Sequence, residues 1–243
     1  MERMAASRLS NTQIDQLGDR LRKAKLTTDD LTMLDGYRRS FSDAHEQVIA
    51  KIRDQLGLEP TGRPAKSTTS ITEKLRRESI RLSQMQDIAG CRITVRDLDH
   101  QNYVVTKLSR AFEKVVIVDR REQPSHGYRA VHVIVDSGGK LVEIQVRTYL
   151  QHLWAELSEK LSDIVDNSIK YGGGEHYVRQ LLSGIGDNIR ALEAVESQFN
   201  REASSDPEQR KEMEDEIREM RKGAIELLRK IGDVIPKVKR ERQ

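Results

Sequence analysis

The sequence is poor in cysteine, proline and aromatic residues. Its 243 residues include one cysteine, five prolines and one tryptophan, and aromatic residues make up 4%. The single cysteine, Cys91, excludes an internal disulfide and is interpreted as a buried small hydrophobic residue, because no histidine pattern accompanies it. No apolar run approaches the roughly 20 residues that span a bilayer, and the N-terminus lacks the apolar stretch of a signal peptide. A soluble, cytoplasmic protein without a membrane partner is therefore expected.

An excess of charge is also lacking over the chain as a whole. The 42 lysine and arginine residues oppose 39 aspartate and glutamate residues, giving a net charge of +3. This small balance argues against a general nucleic-acid-binding protein. Residues 61–81 are the exception, since six basic and two acidic residues give this segment a local charge of +4. The segment is either a solvated helix face or part of a polyphosphate-binding site.

Helical and strand-like patterns alternate in an order typical of an α+β protein. Helices are predicted over residues 8–25, from Asp29-Asp30 to Leu56, and over residues 70–83 and 100–112. Strands are predicted over residues 88–95, 115–119, 128–136 and 141–148. The last two strands should pair as a hairpin through Ser137-Gly138-Gly139, while Gly57–Pro64 is predicted to be a loop. The order βαβββ predicts a small mixed sheet with helices packed on it.

Three further helices are expected after the last strand. The first is predicted over about residues 150–161 and should bury Trp154 in the core. The other two, over residues 176–200 and 207–232, should form a helical hairpin. Apolar residues of the second alternate spacings of four and three, as in a coiled coil. The hairpin either closes on itself or provides a surface for self-association or a partner protein. The predicted domains are residues 1–58 (N-terminal helices), 59–165 (sheet domain) and 175–243 (hairpin).

The strand Leu141–Thr148 alternates apolar and polar residues without a break. Its polar face carries Glu143, Gln145 and Arg147. A carboxylate, an amide and a guanidinium on adjacent rungs are suited to holding a metal ion and a phosphorylated ligand. Tyr128 and His132 share strand parity and are expected on one face, taken here to be that of Glu143.

Several stretches, in this order, resemble the synthetase domain of the RelA/SpoT family, in particular the stand-alone small alarmone synthetases. They are Arg63–Arg77, Asp87–Arg92, Gly127–His132 and Glu143–Thr148. Each motif is weak alone, but all of them occur in order at family-like separations over about residues 60 to 162. The resemblance implies a nucleotidyltransferase-like α+β fold. It also implies transfer of the β,γ-pyrophosphate of ATP to the 3′-hydroxyl of GDP or GTP, which yields ppGpp or pppGpp.

On the ATP side, the resemblance implies a binding set that consists of Arg63, Lys66, Ser70, Lys74, Arg77 and Arg92. Pyrophosphoryl transfer depends mainly on positioning and charge neutralisation at the phosphates. Lys74 and Arg77 lie three residues apart on one helix face, and the arginine corresponding to Arg92 stacks on adenine in the family. Asp87 and Glu143 correspond to the catalytic carboxylates that hold Mg²⁺. Glu143 is also a candidate to orient or deprotonate the attacking hydroxyl.

On the acceptor side, the implied binding residues are Tyr128, His132, Gln145 and Arg147. Tyr128 would stack on the base and His132 would contact phosphate. The chain departs from the family where Gln123–His126 replaces the common Pro-Lys-Pro-Asn, so the expected lysine is missing. Ala155–Glu159 also departs from the family pattern after the tryptophan. The candidates to replace the lysine are Arg120, Arg121 and Arg129.

Three functions remain open from the sequence. The first is an alarmone synthetase without hydrolase activity, since the chain shows no His-Asp pair with metal-ligand spacing. The second is a toxic relative that pyrophosphorylates the 3′-CCA end of tRNA or makes adenine alarmones. The third is an inactive regulatory or binding module. This last alternative predicts losses at key positions, yet Lys74, Asp87, Tyr128 and Glu143 are all present.

Overall fold

The computed structural model describes residues 9–24, 26–165, 169, 172–202 and 206–241, without the side chains of residues 63 and 236–241. The helices are α1 Asn11–Arg22, α2 Thr28–Arg39, α3 Ser42–Leu56, α4 Thr68–Arg77, α5 Leu98–Ala111, α6 Tyr149–Ile164, α7 His176–Arg201 and α8 Pro207–Glu241. The strands are β1 Thr61–Arg63, β2 Ala89–Val95, β3 Val115–Asp119, β4 Val131–Ser137 and β5 Lys140–Thr148. In this part of the chain, no helix is long and apolar enough to cross a membrane.

The strands form one mixed five-stranded sheet in the order β1-β2-β5-β4-β3. This sheet, flanked by helices, confirms the predicted α+β fold. The predicted hairpin is also confirmed, because β4 and β5 are neighbours joined by Gly138 and Gly139, whose φ angles are 60° and 78°. Both residues of the turn need positive φ, which glycine adopts without strain. The Gly139 amide also donates to Asp136 Oδ1 at 2.8 Å.

The prediction of a loop over residues 57–64 was wrong, because Thr61–Arg63 forms strand β1. This strand pairs antiparallel with β2, placing Thr61 opposite Arg92 and Arg63 opposite Gly90. A Cβ at Gly62 would lie 2.8 Å from His45 Nε2. Three residues are too few to show an alternating pattern, so only the long-range pairing defines this strand.

The predicted helix from Asp29 to Leu56 is divided into α2 and α3. The N-cap of α2 is Thr27, whose side chain accepts from the Asp30 amide while Asp30 accepts from the Thr27 amide. Asp29 and Asp30 therefore lie in the first turn, where the negative charge of a carboxylate interacts favourably with the helix dipole. Phe41, which separates the two helices, is buried and packs edge-on against Tyr37 with ring centroids 5.2 Å apart. The apolar spacing continues through this break, so periodicity alone did not reveal it.

The chain divides into two compact units that interleave along the sequence. The first comprises the described residues up to Arg92, together with Ser109–Val116 and Ile134–Ile144. The second comprises Ile93–Leu108, Ile117–Val133 and the described residues from Gln145 onward. The organisation into residues 1–58, 59–165 and 175–243 stays a prediction.

In the first unit, α1 packs against α2, α4 and the short 3₁₀ turn Leu82–Gln84. Arg22 at the end of α1 donates to the carbonyls of Leu75 at 2.8 Å and Ile80 at 2.7 Å. The Leu75 carbonyl lies in the last turn of α4 and the Ile80 carbonyl lies just beyond it. The Arg22 guanidinium therefore supplies hydrogen bonds to carbonyls at this helix end. Ile71 and Leu75 are fully buried, and α4 is therefore fixed on its apolar side.

In the second unit, the three helices after the sheet pack together. Helix α8 contacts both α6 and α7. Trp154 of α6 is buried, as predicted, and its indole donates to the Leu182 carbonyl at 2.8 Å. Leu228 and Ile235 of α8 contribute to the same core.

Candidate active site

Helix α4 and the segment before it hold the first group of candidate residues. Ser67 caps the helix by accepting from the Ser70 amide at 3.2 Å, and its hydroxyl contacts the Ser70 hydroxyl at 2.9 Å. The Lys66 amide donates to the Ile88 carbonyl at 2.6 Å, which ties the helix entry to the residue before β2. The backbone thus brings Lys66 and the start of α4 to the segment that contains Asp87.

Two lysines converge on the Asp87 carboxylate, forming what is called here the lysine–aspartate cluster (Lys66, Lys74 and Asp87). Lys66 Nζ lies 2.5 Å from Oδ2 and Lys74 Nζ lies 3.0 Å from Oδ1. The three side chains are only 13% to 19% exposed. Burial raises the pKa of Asp87, but the two ammonium groups outweigh it and hold the pKa below its ordinary value. The carboxylate is therefore charged at neutral pH, and the cluster carries a net positive charge.

The other arginines predicted for ATP lie on α4, β1 and β2. Arg77, the last residue of α4, forms an ion pair with Glu78 at 2.9 Å. Arg92 lies on β2 opposite Thr61. The backbone of Arg63 lies opposite Gly90, while its side chain is outside the described residues.

Glu143, the second predicted metal ligand, lies on β5 beside the start of β2. A Cβ at Gly90 would lie 2.8 Å from the Glu143 carbonyl, so only glycine allows this approach. Burial and the nearby Glu143 charge raise the pKa of Cys91 to about 12. This value and its burial confirm that Cys91 is not a reactive thiolate. The peptide that follows Asp87 by three residues therefore contacts the strand that carries Glu143.

The carboxylates Asp87 and Glu143 are the candidate ligands for Mg²⁺. Among the residues that the structure describes, no three or more His, Cys, Asp or Glu side chains gather as a metal site. Mg²⁺ is commonly held by one or two carboxylates while water and substrate phosphates complete its shell. Asp87, whose carboxylate is ionised, and Glu143 fit that pattern, whereas a metal that needs a complete protein cage would not fit.

The structure brings together all four residues predicted for the acceptor, named here the tyrosine–arginine cluster (Tyr128, His132, Gln145 and Arg147). Arg147 Nη2 donates to the Tyr128 hydroxyl at 3.0 Å and to Gln145 Oε1 at 2.7 Å. The Tyr128 hydroxyl lies 2.8 Å from His132 Nε2. Because a guanidinium only donates, the phenol oxygen accepts from Arg147 and its proton can be donated to the imidazole.

The position of Tyr128 differs from the prediction, since β4 begins only at Val131. Tyr128 belongs to a turn in which its amide donates to the Ser125 carbonyl at 2.9 Å. The preceding Gly127 has a φ of 89°, and a Cβ there would lie 2.9 Å from the Trp154 ring. Glycine is thus required both for the turn and for its contact with α6. Glu143 sharing a face with Tyr128 and His132 stays a prediction.

Two of the three arginines predicted to replace the missing lysine are used elsewhere. Arg129 is 6% exposed and donates to the Gly186 carbonyl at 2.8 Å, with Asp187 as its ion-pair partner at 3.1 Å. Arg121 pairs with Asp119 at 2.6 Å and donates to Asn102 at 2.7 Å. Arg120 is exposed. Of these three, Arg120 is therefore the one that the structure leaves available to a phosphate.

Sequence reasoning missed the polar residues that hold the end of β5. Thr148 caps α6, and its hydroxyl donates to the buried carboxylate of Glu193 on α7. The Thr148–Gln151 spacing, with a threonine followed three residues later by glutamine, is a capping-box signal that could have revealed Thr148. Glu193 gives no such local signal, because a lone acid in a long helix is usually solvated.

Residues 62–162 match the family model described as the region found in RelA / SpoT proteins. This part of the chain belongs to the RelA/SpoT family. More particularly, the chain resembles small alarmone synthetases. The GTP pyrophosphokinase YjbM of Bacillus subtilis is 39% identical over 117 residues, which cover 42% of this chain and 54% of that protein.

Other similarities extend beyond this region. Protein Rv1366 of Mycobacterium tuberculosis is 36% identical over 156 residues, or 58% of this chain and 55% of that protein. The crystal structure of small alarmone synthetase 1 from B. subtilis bound to its product pppGpp superposes with a TM-score of 0.57 at 26% identity, covering 70% of this chain and 97% of that one. The chain spans about half the length of the two sequence relatives described here.

Proposed function

We propose that the protein is a (p)ppGpp synthetase that transfers the β,γ-pyrophosphate of ATP to the 3′-hydroxyl of GDP or GTP. The main support is the lysine–aspartate cluster, whose two partly exposed ammonium groups flank an ionised carboxylate. This arrangement suits a polyphosphate and a divalent cation, and it lies within the segment that matches the RelA/SpoT family.

On the ATP side, Lys66 and Lys74 would neutralise the phosphates, with Arg63, Ser70 and Arg77 as further donors. Arg92 would stack on the adenine. Asp87 and Glu143 would hold Mg²⁺, which when bound supplies charge neutralisation at the transferred pyrophosphate. The lysines would then exchange Asp87 for phosphate oxygens, so the protein supplies positive charge that is already desolvated and positioned.

On the acceptor side, the tyrosine–arginine cluster would bind the guanosine nucleotide. Tyr128 would stack on the base, and its hydroxyl is fixed by Arg147 and His132. Gln145 and Arg147 would line the same wall. Glu143, two residues before Gln145 on β5, would orient or deprotonate the 3′-hydroxyl. Because ATP and GTP are the proposed substrates, we expect the protein to act in the cytoplasm. We expect it to lack hydrolase activity, because the sequence shows no His-Asp pair with metal-ligand spacing.

One assay tests this proposal against the alternatives. The purified protein is incubated with γ-³²P-labelled ATP and Mg²⁺, and with GMP, GDP, GTP, an adenine nucleotide or tRNA as acceptor. Glu143→Gln is the matched control, since it keeps the shape of the side chain and removes its charge. Label in guanosine tetraphosphate or pentaphosphate supports the proposal. Label only in tRNA or adenine products identifies the toxic relative, and the absence of all transfer identifies the inactive module.

We also propose that the C-terminal helices mediate self-association. Helix α8 exposes about half of the side chains of Met213, Met220, Leu227 and Val234, which recur every seven residues. Ile217, between the first two, is buried. Such a repeat is typical of a helix–helix seam. Residues 207–220 contain six acidic and three basic residues, and residues 221–235 contain four basic and two acidic residues. An antiparallel second copy would therefore pair opposite charges.

The test is the mass in solution by light scattering. The proposal predicts a dimer or larger species that Leu227→Glu converts to a monomer. A monomeric wild-type protein would instead leave these helices to a different partner protein.

A further inference from the structure

A buried carboxylate on α7 lies at the end of β5, outside the residues assigned to either substrate. Glu193 is only 2% exposed. One of its oxygens accepts from the Thr148 hydroxyl, and the other accepts from Gln151 Nε2 at 3.0 Å. Burial raises the pKa of Glu193, while these two donors partly oppose that rise. An acid buried in this way is costly unless its hydrogen bonds are needed.

The hydrogen bonds of Glu193 continue into a network that encloses Arg147. Gln151 Oε1 accepts from the Thr148 amide at 3.2 Å and from Gln101 Nε2 at 2.9 Å. Gln101 Nε2 also donates to the Val146 carbonyl at 2.8 Å. The two neighbours of Arg147 in β5 are therefore fixed: Val146 through its carbonyl, and Thr148 through its amide and its hydroxyl.

Helix α7 also supports the other segment of the tyrosine–arginine cluster. Its Gly186 carbonyl accepts from Arg129, the residue after Tyr128. A Cβ at Gly186 would lie 2.9 Å from the Gly127 carbonyl, so the helix contacts the turn directly. One helix thus holds both chain segments that meet where Arg147 donates to Tyr128.

We infer that Glu193 is a positioning residue for the acceptor nucleotide, which fixes Thr148 and Gln151 so that Arg147 stays in contact with Tyr128. This inference rests on the proposed function, because it assigns Tyr128 and Arg147 to the acceptor. A carboxylate suits this position because it only accepts, and both of its partners donate. Glutamine has one accepting oxygen and one NH₂, so it can accept from only one of these two donors. With its oxygen kept on the Thr148 hydroxyl, its NH₂ would face that of Gln151 and leave two donors opposed.

The donor mismatch provides a rescue experiment. Glu193→Gln should break the network, whereas Gln151→Glu combined with Glu193→Gln restores it with the donor and acceptor exchanged. In the double variant, the carboxylate at position 151 can still accept from the Thr148 amide and Gln101, and the amide oxygen at position 193 can still accept from the Thr148 hydroxyl. The matched control is Glu196→Gln on the same helix, since Glu196 pairs with Arg221 of α8 at 2.5 Å.

Steady-state transfer from ATP to GDP is measured for each variant, together with thermal unfolding. Loss of one buried hydrogen bond to a charged group predicts a KM for GDP about tenfold or more above wild type in Glu193→Gln. The KM for ATP should change less than about twofold by the same reasoning. The double variant and Glu196→Gln should both keep the wild-type KM for GDP.

Several results would overturn the inference. An equal rise of both KM values, or a lower unfolding temperature without any change of KM for GDP, would indicate a purely structural role. Failure of the double variant to restore the KM for GDP would contradict the network. If Glu193→Gln does not fold, Thr148→Ser, which keeps the hydroxyl, must behave as wild type while Thr148→Val raises the KM for GDP. A wild-type protein that transfers nothing to GDP or GTP would refute the proposed function and this inference with it.

Discussion

Replacing Asp87 with asparagine should separate its electrostatic role from its proposed role with the metal. The change keeps the size of the side chain but leaves Lys66 and Lys74 without the carboxylate that lies 2.5 Å and 3.0 Å from them. All three groups are mostly buried, so solvent screens this loss only in part. Breaking a fully buried ion pair costs about 3–5 kcal/mol, and a hydrogen bond to a charged group contributes about 1.5–3 kcal/mol. We expect Asp87→Asn to lower the free energy of unfolding by about 2–3 kcal/mol at pH 7.

A double-mutant cycle with Lys74→Met measures this interaction. Urea unfolding of the wild type, both single variants and the double variant should give a coupling energy of about 1–2 kcal/mol. The pKa of Asp87 is lowered, so the unfolded chain binds a proton first as the pH falls. The stability difference between the wild type and Asp87→Asn should therefore be complete above about pH 5 and should be lost progressively as the pH falls further. Equal unfolding curves at pH 7 would refute the reasoning.

The same variant predicts opposite effects on binding and on catalysis. The Asp87 carboxylate repels phosphate and competes with it for the two lysines. Without Mg²⁺, Asp87→Asn should therefore bind ATP more tightly than the wild type, whereas with Mg²⁺ it should lose pyrophosphate transfer. Calorimetry in chelator and the radiolabel assay measure the two effects. Weaker ATP binding in chelator would show that Asp87 does not lie beside the phosphates.

Four further substitutions test other parts of the fold and site. Tyr128→Ala should raise the KM for GDP by about tenfold or more through lost base stacking, with little change for ATP; equal effects on both would contradict its placement. In thermal unfolding, Gly127→Ala should destabilise the protein by more than about 1 kcal/mol. Gly223→Ala is the control: a Cβ at Gly223 would have no atom within 4 Å, so this change should slightly stabilise α8 in the same measurement. Burial lowers the pKa of His45, so the unfolded chain binds the proton first. As the pH drops below about 6.5, the free energy of unfolding measured in urea should therefore decrease, and His45→Leu should remove this pH dependence.

The sequence predicted the parts of the fold that depend on local patterns. Alternation identified β5, and the Gly138-Gly139 turn identified its hairpin with β4. The strand β1 was missed because its three residues are defined by pairing with β2. The break at Phe41 was missed because the apolar spacing on either side of it continues without interruption.

The grouping of the candidate acceptor residues came from the resemblance to the RelA/SpoT family. That resemblance grouped Tyr128 with His132, Gln145 and Arg147, and the structure brings these four together. The use of Arg129 could not be predicted, because its partners Gly186 and Asp187 are far away in the sequence. Arg121 pairs with Asp119, which lies only two residues before it. The sequence alone does not show whether an arginine is free to bind phosphate or already pairs with another residue of the fold.

The two clusters differ in how they can recognise a nucleotide. The lysine–aspartate cluster offers two ammonium groups held by one exchangeable carboxylate, so charge dominates its binding. In the tyrosine–arginine cluster the Arg147 guanidinium lies 5.0 Å from the centre of the Tyr128 ring and is bonded to its hydroxyl. The Arg147 guanidinium therefore holds the Tyr128 ring in place. Under the proposed function, stacking and hydrogen bonds would therefore carry the recognition there. The acceptor nucleotide would be selected by the shape of its base more than by its phosphates.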